Sequence, residues 1–111
     1  MTATQHHPNR RAFPRWKAKF DVRYGKGGSL RTASGFEIGE DGIKFAAPER
    51  FTPAMEIDLA YRFDDGADWT EVKAVVCHCD GDNTGVEFLN LRRADRLRIL
   101  EYINANCGEA N

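Results

Sequence analysis

Strict alternation of apolar and polar residues is the pattern that most limits how this chain can fold. It runs through residues 17–24 and again through residues 56–63. The apolar members are Ala18, Phe20, Val22 and Tyr24 in the first segment and Ile57, Leu59, Tyr61 and Phe63 in the second. Because successive side chains of a strand point to opposite faces, each segment is predicted to be a β-strand with one buried face.

Turn signals divide the rest of this region into further short strands. "GKGG" at 25–28 ends the first strand, a second strand is predicted over about 30–37, and alternation resumes at 43–45 after "EIGEDG". "DGDN" at 80–83 separates two more apolar segments and predicts a hairpin, since these residues accept the positive φ of tight turns. Short strands at close spacing predict a small antiparallel barrel or sandwich.

The pattern changes after Leu91 to a spacing of three and four residues, which predicts an amphipathic helix of about four turns that ends at Gly108. Its predicted apolar stripe consists of Ala94, Leu97, Leu100, Ile103 and Cys107. The arginines on its other faces are Arg92, Arg93, Arg96 and Arg98, and they form either a solvated surface or part of a partner surface. The stripe is predicted to pack on the barrel.

Length and composition suit one domain. We expect a flexible segment over residues 1–9 and a single domain over 10–111, since 111 residues can bury one core. No apolar run approaches the roughly 20 residues that span a bilayer, and the opening residues lack a secretion signal. Three cysteines are an odd number, so we expect reduced thiols and a cytoplasmic location.

Basic charge is concentrated at the front of the chain. Residues 1–20 carry five basic and no acidic groups, and the remainder carries eleven basic against seventeen acidic groups. This front is either a solvated basic tail or a segment that holds an anion. DNA or RNA binding is disfavoured, because the predicted strand faces alternate in charge sign and lack interleaved aromatic residues.

The sequence contains no motif typical of catalysis or of metal binding, so we expect that this protein is not an enzyme. Cys77, His78 and Cys79 invite a zinc hypothesis, with His6, His7 and Cys107 as possible further ligands. On a regular strand, however, Cys77 and Cys79 share one face while His78 points to the other, and zinc motifs usually use a Cys-x-x-Cys turn. Ordinary packed or half-exposed thiols are the favoured interpretation, with no metal and no cofactor.

Three segments together resemble the PilZ domain family. They are Arg11-x-x-x-Arg15 before the first strand, "EIGEDGIKF" between the second and third strands, and "GVEFLNL" before the helix. The resemblance implies a mainly β fold, a six-stranded antiparallel barrel with a C-terminal α-helix. It also implies cyclic di-GMP as the ligand, held by an arginine motif and by Asp or Asn-x-Ser-x-x-Gly.

The ligand residues implied by the resemblance are Arg10, Arg11, Arg15, Glu37, Gly39 and Gly42. Arginine suits this ligand, since a guanidinium pairs bidentately with a phosphate or with the O6/N7 edge of guanine. Glu37 stands where aspartate or asparagine is expected, and Gly39 replaces the serine. We therefore expect cyclic di-GMP to bind more weakly than it does to a full motif, or not at all. The alternative interpretation is that Glu37, Gly39 and Gly42 are plain turn residues.

The function implied by the resemblance is a cyclic di-GMP receptor or adaptor. It would relay the signal to an unidentified effector protein with a motility, polysaccharide or virulence output, as a monomer or weak dimer without membrane insertion. The alternative is a degenerate PilZ domain that binds no nucleotide and acts only as a protein–protein interaction module.

Overall fold

The computed structural model describes residues 14–107 and contains six strands and one helix in that range. The elements are β1 (Trp16–Lys26), β2 (Ser29–Ile38), β3 (Gly42–Ala46), β4 (Glu56–Arg62), β5 (Thr70–Asp80), β6 (Asn83–Leu89) and α1 (Arg93–Asn106). The predictions for the flexible segment 1–9, for His6, His7, Arg10 and Arg11, and for a helix end at Gly108 lie outside the described residues.

The six strands close into a barrel in the order β1–β2–β3–β6–β5–β4, and β4 pairs back onto β1. Every neighbouring pair is antiparallel. Gly27 and Gly28 connect β1 to β2 with φ angles of 67° and 84°, the backbone that a two-residue type I′ turn requires and that glycine adopts without steric cost. The predicted six-stranded antiparallel barrel with a C-terminal helix is confirmed.

The barrel interior is filled by the predicted apolar faces. Phe20, Val22 and Tyr24 of β1 are buried, and so are Ile57, Leu59 and Tyr61 of β4. The other strands contribute Ile38, Ile43, Phe45, Ala74, Val76 and Val86. Since each strand alternates, the same pattern leaves charged residues such as Lys17 and Lys19 on the outer wall.

The predicted apolar stripe of α1 is partly wrong. Leu97 is 52% exposed and Ala94 is also exposed, whereas Ile99, Ile103 and the carboxylate of Asp95 are buried. Asp95 tolerates burial because the guanidinium groups of Arg92 and Arg98 lie 2.9 and 3.7 Å from its oxygens. The helix is therefore rotated relative to the prediction.

Three bulges interrupt the strand pairings, and they lie between Lys17 and Phe20, between Gly35 and Glu37, and between Val76 and His78. The third bulge corrects the predicted alternation at Cys77-His78-Cys79. Cys77 and His78 are both exposed, whereas Cys79 is half-buried with its Sγ 3.7 Å from Thr84 Oγ1. The two thiols thus do not share a face, because the extra residue of a bulge shifts the alternation.

Within residues 14–107 the three cysteines are free thiols, and no group of three or more His, Cys, Asp or Glu side chains is arranged to hold a metal ion. Over the same part of the chain, no helix is long and apolar enough to cross a membrane.

Candidate ligand site at the β2–β3 hairpin

The tip of the β2–β3 hairpin consists of Gly39, Glu40 and Asp41 and is fixed by two backbone hydrogen bonds. The N–H of Gly39 donates to the carbonyl of Gly42 at 3.0 Å, which closes the turn. The carbonyl of Asp41 accepts from the N–H of Phe88 near the end of β6 at 2.8 Å. The side chain of Asp41 is thereby held at one end of the barrel wall, beside the start of β1.

A side chain is excluded at Gly42 and at Gly39 for two different reasons. A Cβ on Gly42 would lie 2.0 Å from the carbonyl oxygen of Val86, so the pairing of β3 with β6 leaves no room for a side chain. A Cβ on Gly39 would lie 2.7 Å from Cδ of Arg15 and 2.9 Å from the carbonyl oxygen of Pro14. Gly42 is therefore required by the strand pairing of the barrel, and Gly39 is required by the Arg15 side chain that crosses it.

Arg15 is the buried cation of this region, with 7% of its surface exposed. Its Nη2 lies 3.2 Å from Oδ1 of Asp41, and its Nη1 lies 3.9 Å from Oε1 of Glu37. Its Nε is also buried and makes no hydrogen bond to any residue in 14–107. A buried donor left without an acceptor costs about 1–3 kcal/mol, so the guanidinium retains binding capacity that the described carboxylates do not use.

Glu37 lies in the middle of a row of charged residues on the outer wall. The strand register places it between Lys17 of β1 and Lys44 of β3. Its Oε1 lies 3.6 Å from Nζ of Lys44 and 3.9 Å from Arg15. Carboxylate oxygens are hydrogen-bond acceptors, so Glu37 can accept hydrogen bonds from a ligand.

The line of paired residues that contains Glu37 and Lys44 continues across β6 to Gly85 and across β5 to His78. Lys44 pairs with Gly85, and Gly85 pairs with His78, whose imidazole occupies the space where a Gly85 side chain would be. Although Cys77 as a whole is exposed, desolvation of its Sγ raises the pKa of the thiol, the Glu87 carboxylate raises it further, and the Arg15 guanidinium opposes both. Cys77 is therefore protonated at neutral pH and poorly nucleophilic.

The structure brings Arg15, Glu37, Gly39 and Gly42 of the predicted site together at the hairpin. Arg10 and Arg11 lie outside the described residues. Sequence reasoning missed Asp41 and Lys44, although both were visible as charged residues beside the predicted motif. The assignment of all these residues to a ligand stays a prediction.

Two of the surface clefts lined by residues 14–107 flank the barrel. One of about 350 Å³ lies between the hairpin and α1, lined by Glu40, Asp41, Glu87 and Arg96 among others, and Arg96 Nη1 lies 3.9 Å from Glu40 Oε1. A larger one of about 760 Å³ lies along the outer wall of β4 and β5 and is bordered by residues of both charge signs. The smaller cleft is lined by Asp41, the ion-pair partner of Arg15, but not by Arg15 or Glu37, so it lies beside the candidate site.

The family model of the PilZ domain matches residues 9–105, which include both candidate motifs and the whole barrel. The chain belongs to the PilZ domain family. A search of the curated proteins gave no match for this PilZ domain.

Several solved structures share the fold of this PilZ domain. It is similar to the Bacillus subtilis inhibitor of motility MotI, with a TM-score of 0.75 and 20% sequence identity over 87% of this chain and 51% of MotI. It is also similar to Escherichia coli YcgR in complex with c-di-GMP, with a TM-score of 0.72 and 12% identity over 86% of this chain and 45% of YcgR. The isolated PilZ domain of YcgR with c-di-GMP gives a TM-score of 0.66 and 14% identity over 87% of this chain and 91% of that domain.

These identities show a common fold. The chain spans about half the length of MotI and slightly less than half of YcgR. The likeness therefore concerns the PilZ portion of those two proteins.

Proposed function

We propose that this PilZ domain binds cyclic di-GMP on the outer wall of the barrel at the β2–β3 hairpin and relays the signal to a protein partner. The proposed ligand residues are Arg10, Arg11, Arg15, Glu37, Gly39 and Gly42. The domain would act as a cytoplasmic receptor or adaptor, monomeric or weakly dimeric, without catalysis and without binding DNA or RNA.

The observation that carries the proposal is the position of Arg15. It lies against Gly39, so the last residue of the arginine motif contacts the hairpin motif. Its guanidinium lies beside two carboxylates, and its buried Nε has no acceptor within residues 14–107. A guanidinium with spare donors suits a phosphate or the O6/N7 edge of guanine, both of which accept bidentate pairs.

Glu37 and Lys44 supply complementary contacts on the same wall. The carboxylate of Glu37 can accept from the N1 and N2 donors of a guanine, a role that the resemblance gives to a shorter side chain. The ammonium of Lys44, 3.6 Å from Glu37, adds a second positive charge for the phosphates. A carboxylate acceptor and a cation side by side match a ligand that carries both guanines and phosphates.

A route from the site to a partner surface is available through Glu40. This residue neighbours Asp41 at the hairpin tip and lies 3.9 Å from Arg96 of α1. A ligand that reorients the hairpin tip would therefore also alter the contact between the hairpin and the helix. The effector protein that responds to this change would determine which process is regulated, whether motility, polysaccharide production or virulence.

Isothermal titration with cyclic di-GMP at low and moderate salt tests the proposal. We expect micromolar or tighter binding that weakens at least tenfold in Arg15→Ala and in Arg11→Ala, since each charge-assisted bond is worth about 1.5–3 kcal/mol. Arg50→Ala is the matched control, because Arg50 is exposed and follows β3, at the end of the barrel away from the hairpin tip. Binding that is equally weakened by all three substitutions would contradict a specific site.

The second candidate function is a PilZ domain that binds no nucleotide and acts only as a protein–protein interaction module. The pairing of Arg15 with Asp41 and Glu37 favours it, because those carboxylates already neutralise the cation that the ligand needs. If the folded protein gave only the heat of dilution when titrated with cyclic di-GMP, the receptor function would be overturned and this alternative would be favoured.

A further inference from the structure

Asp41 lies outside the residues that the two motifs assign to the ligand, yet it makes the shorter ion pair with Arg15. Its Oδ1 is 3.2 Å from Arg15 Nη2, whereas Oε1 of Glu37 is 3.9 Å from Nη1. Glu37 also has Lys44 at 3.6 Å, so Arg15 is not its sole cation among the described residues. For Asp41, Arg15 is the cation within ion-pair distance in the described part of the chain.

We propose that Asp41 is an internal counter-ion that holds Arg15 over Gly39 and competes with the anionic ligand for it. This inference rests on the proposed function, since the competitor is taken to be cyclic di-GMP. Asp41 would thereby set the affinity of the site while itself making no favourable contact with the ligand phosphates, which carry the same charge.

The position of Asp41 is fixed independently of its side chain. Its carbonyl accepts from the N–H of Phe88, and the tip is closed by the bond from Gly39 to Gly42. The carboxylate is therefore presented to Arg15 at little further cost in chain entropy, as a preorganised partner. A ligand has to displace this carboxylate before it can use both arms of the guanidinium.

Gly39 provides the space for the closed position of Arg15. A Cβ at residue 39 would lie 2.7 Å from Arg15 Cδ, closer than such atoms approach, and 3.0 Å from its Nε, a tight contact. The serine that the family motif carries at this position would force Arg15 or the Pro14 carbonyl to move. The glycine is thus compatible with the Arg15–Asp41 ion pair in a way that the serine is not.

The first test compares Asp41→Asn with Glu40→Gln by titration with cyclic di-GMP. Both variants remove one negative charge from adjacent residues of the hairpin tip, but Glu40 pairs with Arg96 and not with Arg15. We expect Asp41→Asn to tighten binding roughly tenfold, because it removes the negative charge that lies 3.2 Å from the Arg15 guanidinium. Glu40→Gln should change affinity far less. Equal effects of the two substitutions would overturn the proposal, because they would reflect net charge alone.

The second test needs no ligand and measures how fast phenylglyoxal modifies Arg15, by peptide mass spectrometry with exposed Arg93 as the internal reference. We expect modification to rise several-fold in Asp41→Asn, which removes the counter-ion, and in Gly39→Ala, which fills the space. Glu40→Gln and Gly66→Ala should leave it unchanged, since a Cβ on Gly66 meets nothing within 4 Å. Circular dichroism of each variant establishes that it is folded.

The two tests separate the failure of each proposal. Faster modification of Arg15 in Asp41→Asn and Gly39→Ala, with no cyclic di-GMP bound by any variant, would support the ion pair and overturn the proposed ligand. Cyclic di-GMP binding that is unchanged in Asp41→Asn, together with unchanged modification of Arg15, would support the receptor function and overturn the role of Asp41.

Discussion

The rings of Phe63 and Tyr102 are stacked, with centroids 4.1 Å apart and planes inclined by 8°. Phe63 directly follows β4, and Tyr102 lies in the third turn of α1, so this contact joins the helix to the barrel. Phe63 also contacts Tyr61 and Phe20 through edge-on or tilted rings. The helix is therefore docked by an aromatic cluster that begins inside the barrel wall.

Removal of the Tyr102 ring should destabilise the fold by undocking α1. We expect Tyr102→Ala to lower the free energy of unfolding by about 2 kcal/mol or more, through lost ring contacts and a cavity. Leu97→Ala is the matched control on the same helix, and because Leu97 is 52% exposed it should cost less than about 1 kcal/mol. Urea unfolding curves measure both. A larger effect for Leu97 would mean that the predicted stripe, and not the observed one, faces the barrel.

A side chain at residue 42 should disrupt the pairing of β3 with β6. The Cβ of Gly42→Ala would lie 2.0 Å from the carbonyl oxygen of Val86, which belongs to the backbone and cannot rotate away. We expect a loss of about 2–3 kcal/mol or more, as in overpacked cores. Gly66→Ala, which meets nothing within 4 Å, should remain within about 0.5 kcal/mol of the parent protein. A Gly42→Ala protein of parental thermal stability would show that the strand pairing is wrong.

The three tyrosines should resist ionisation while the protein is folded. Burial, with a hydrogen bond from its hydroxyl to the Glu49 carboxylate, raises the pKa of Tyr24 to about 12. Burial also raises the pKa of Tyr61 and of Tyr102. A pKa raised by folding contributes stability that is complete below about pH 10 and is lost as the pH rises towards 12.

Alkaline titration followed by tyrosinate absorbance and circular dichroism checks this expectation. For Tyr24 alone the shift corresponds to about 2–3 kcal/mol. We expect tyrosinate absorbance to appear together with unfolding, and Tyr24→Phe to flatten the alkaline loss of stability. Tyrosines that ionise near pH 10 in a protein with a native spectrum would contradict the burial described for them.

Restoration of the family motif should tighten a measurable affinity for cyclic di-GMP. Serine at residue 39 would add a hydroxyl contact worth roughly 1 kcal/mol, or about fivefold, and would also push Arg15 away from Asp41. Glu37→Asp shortens the carboxylate to the length that the motif carries. Titration of the double variant beside Gly39→Ala separates the hydroxyl from the steric effect. A double variant that fails to bind more tightly would argue against assigning the hairpin to the ligand.

The strands were predictable because their pattern is local. Alternation over residues 17–24 gave the correct inward face of β1, and the glycines at 27 and 28 marked its turn. The extent of α1 was predictable for the same reason. Its orientation was not, because the buried position of Asp95 depends on Arg92, Arg98 and the wall that the helix contacts.

By itself, the sequence determined the number and order of the strands, the helix at their end, and an arginine motif placed just before a strand. The strands and the helix follow from hydrophobic periodicity and turn residues, which act over a few neighbouring positions, and the arginine motif is a short local run of residues. Only the tertiary structure decided that Arg15 crosses Gly39 and pairs with Asp41, 26 positions further along the chain. That contact depends on the register of β1 against β2 and on the bond from Phe88 to the hairpin, and no local pattern encodes either.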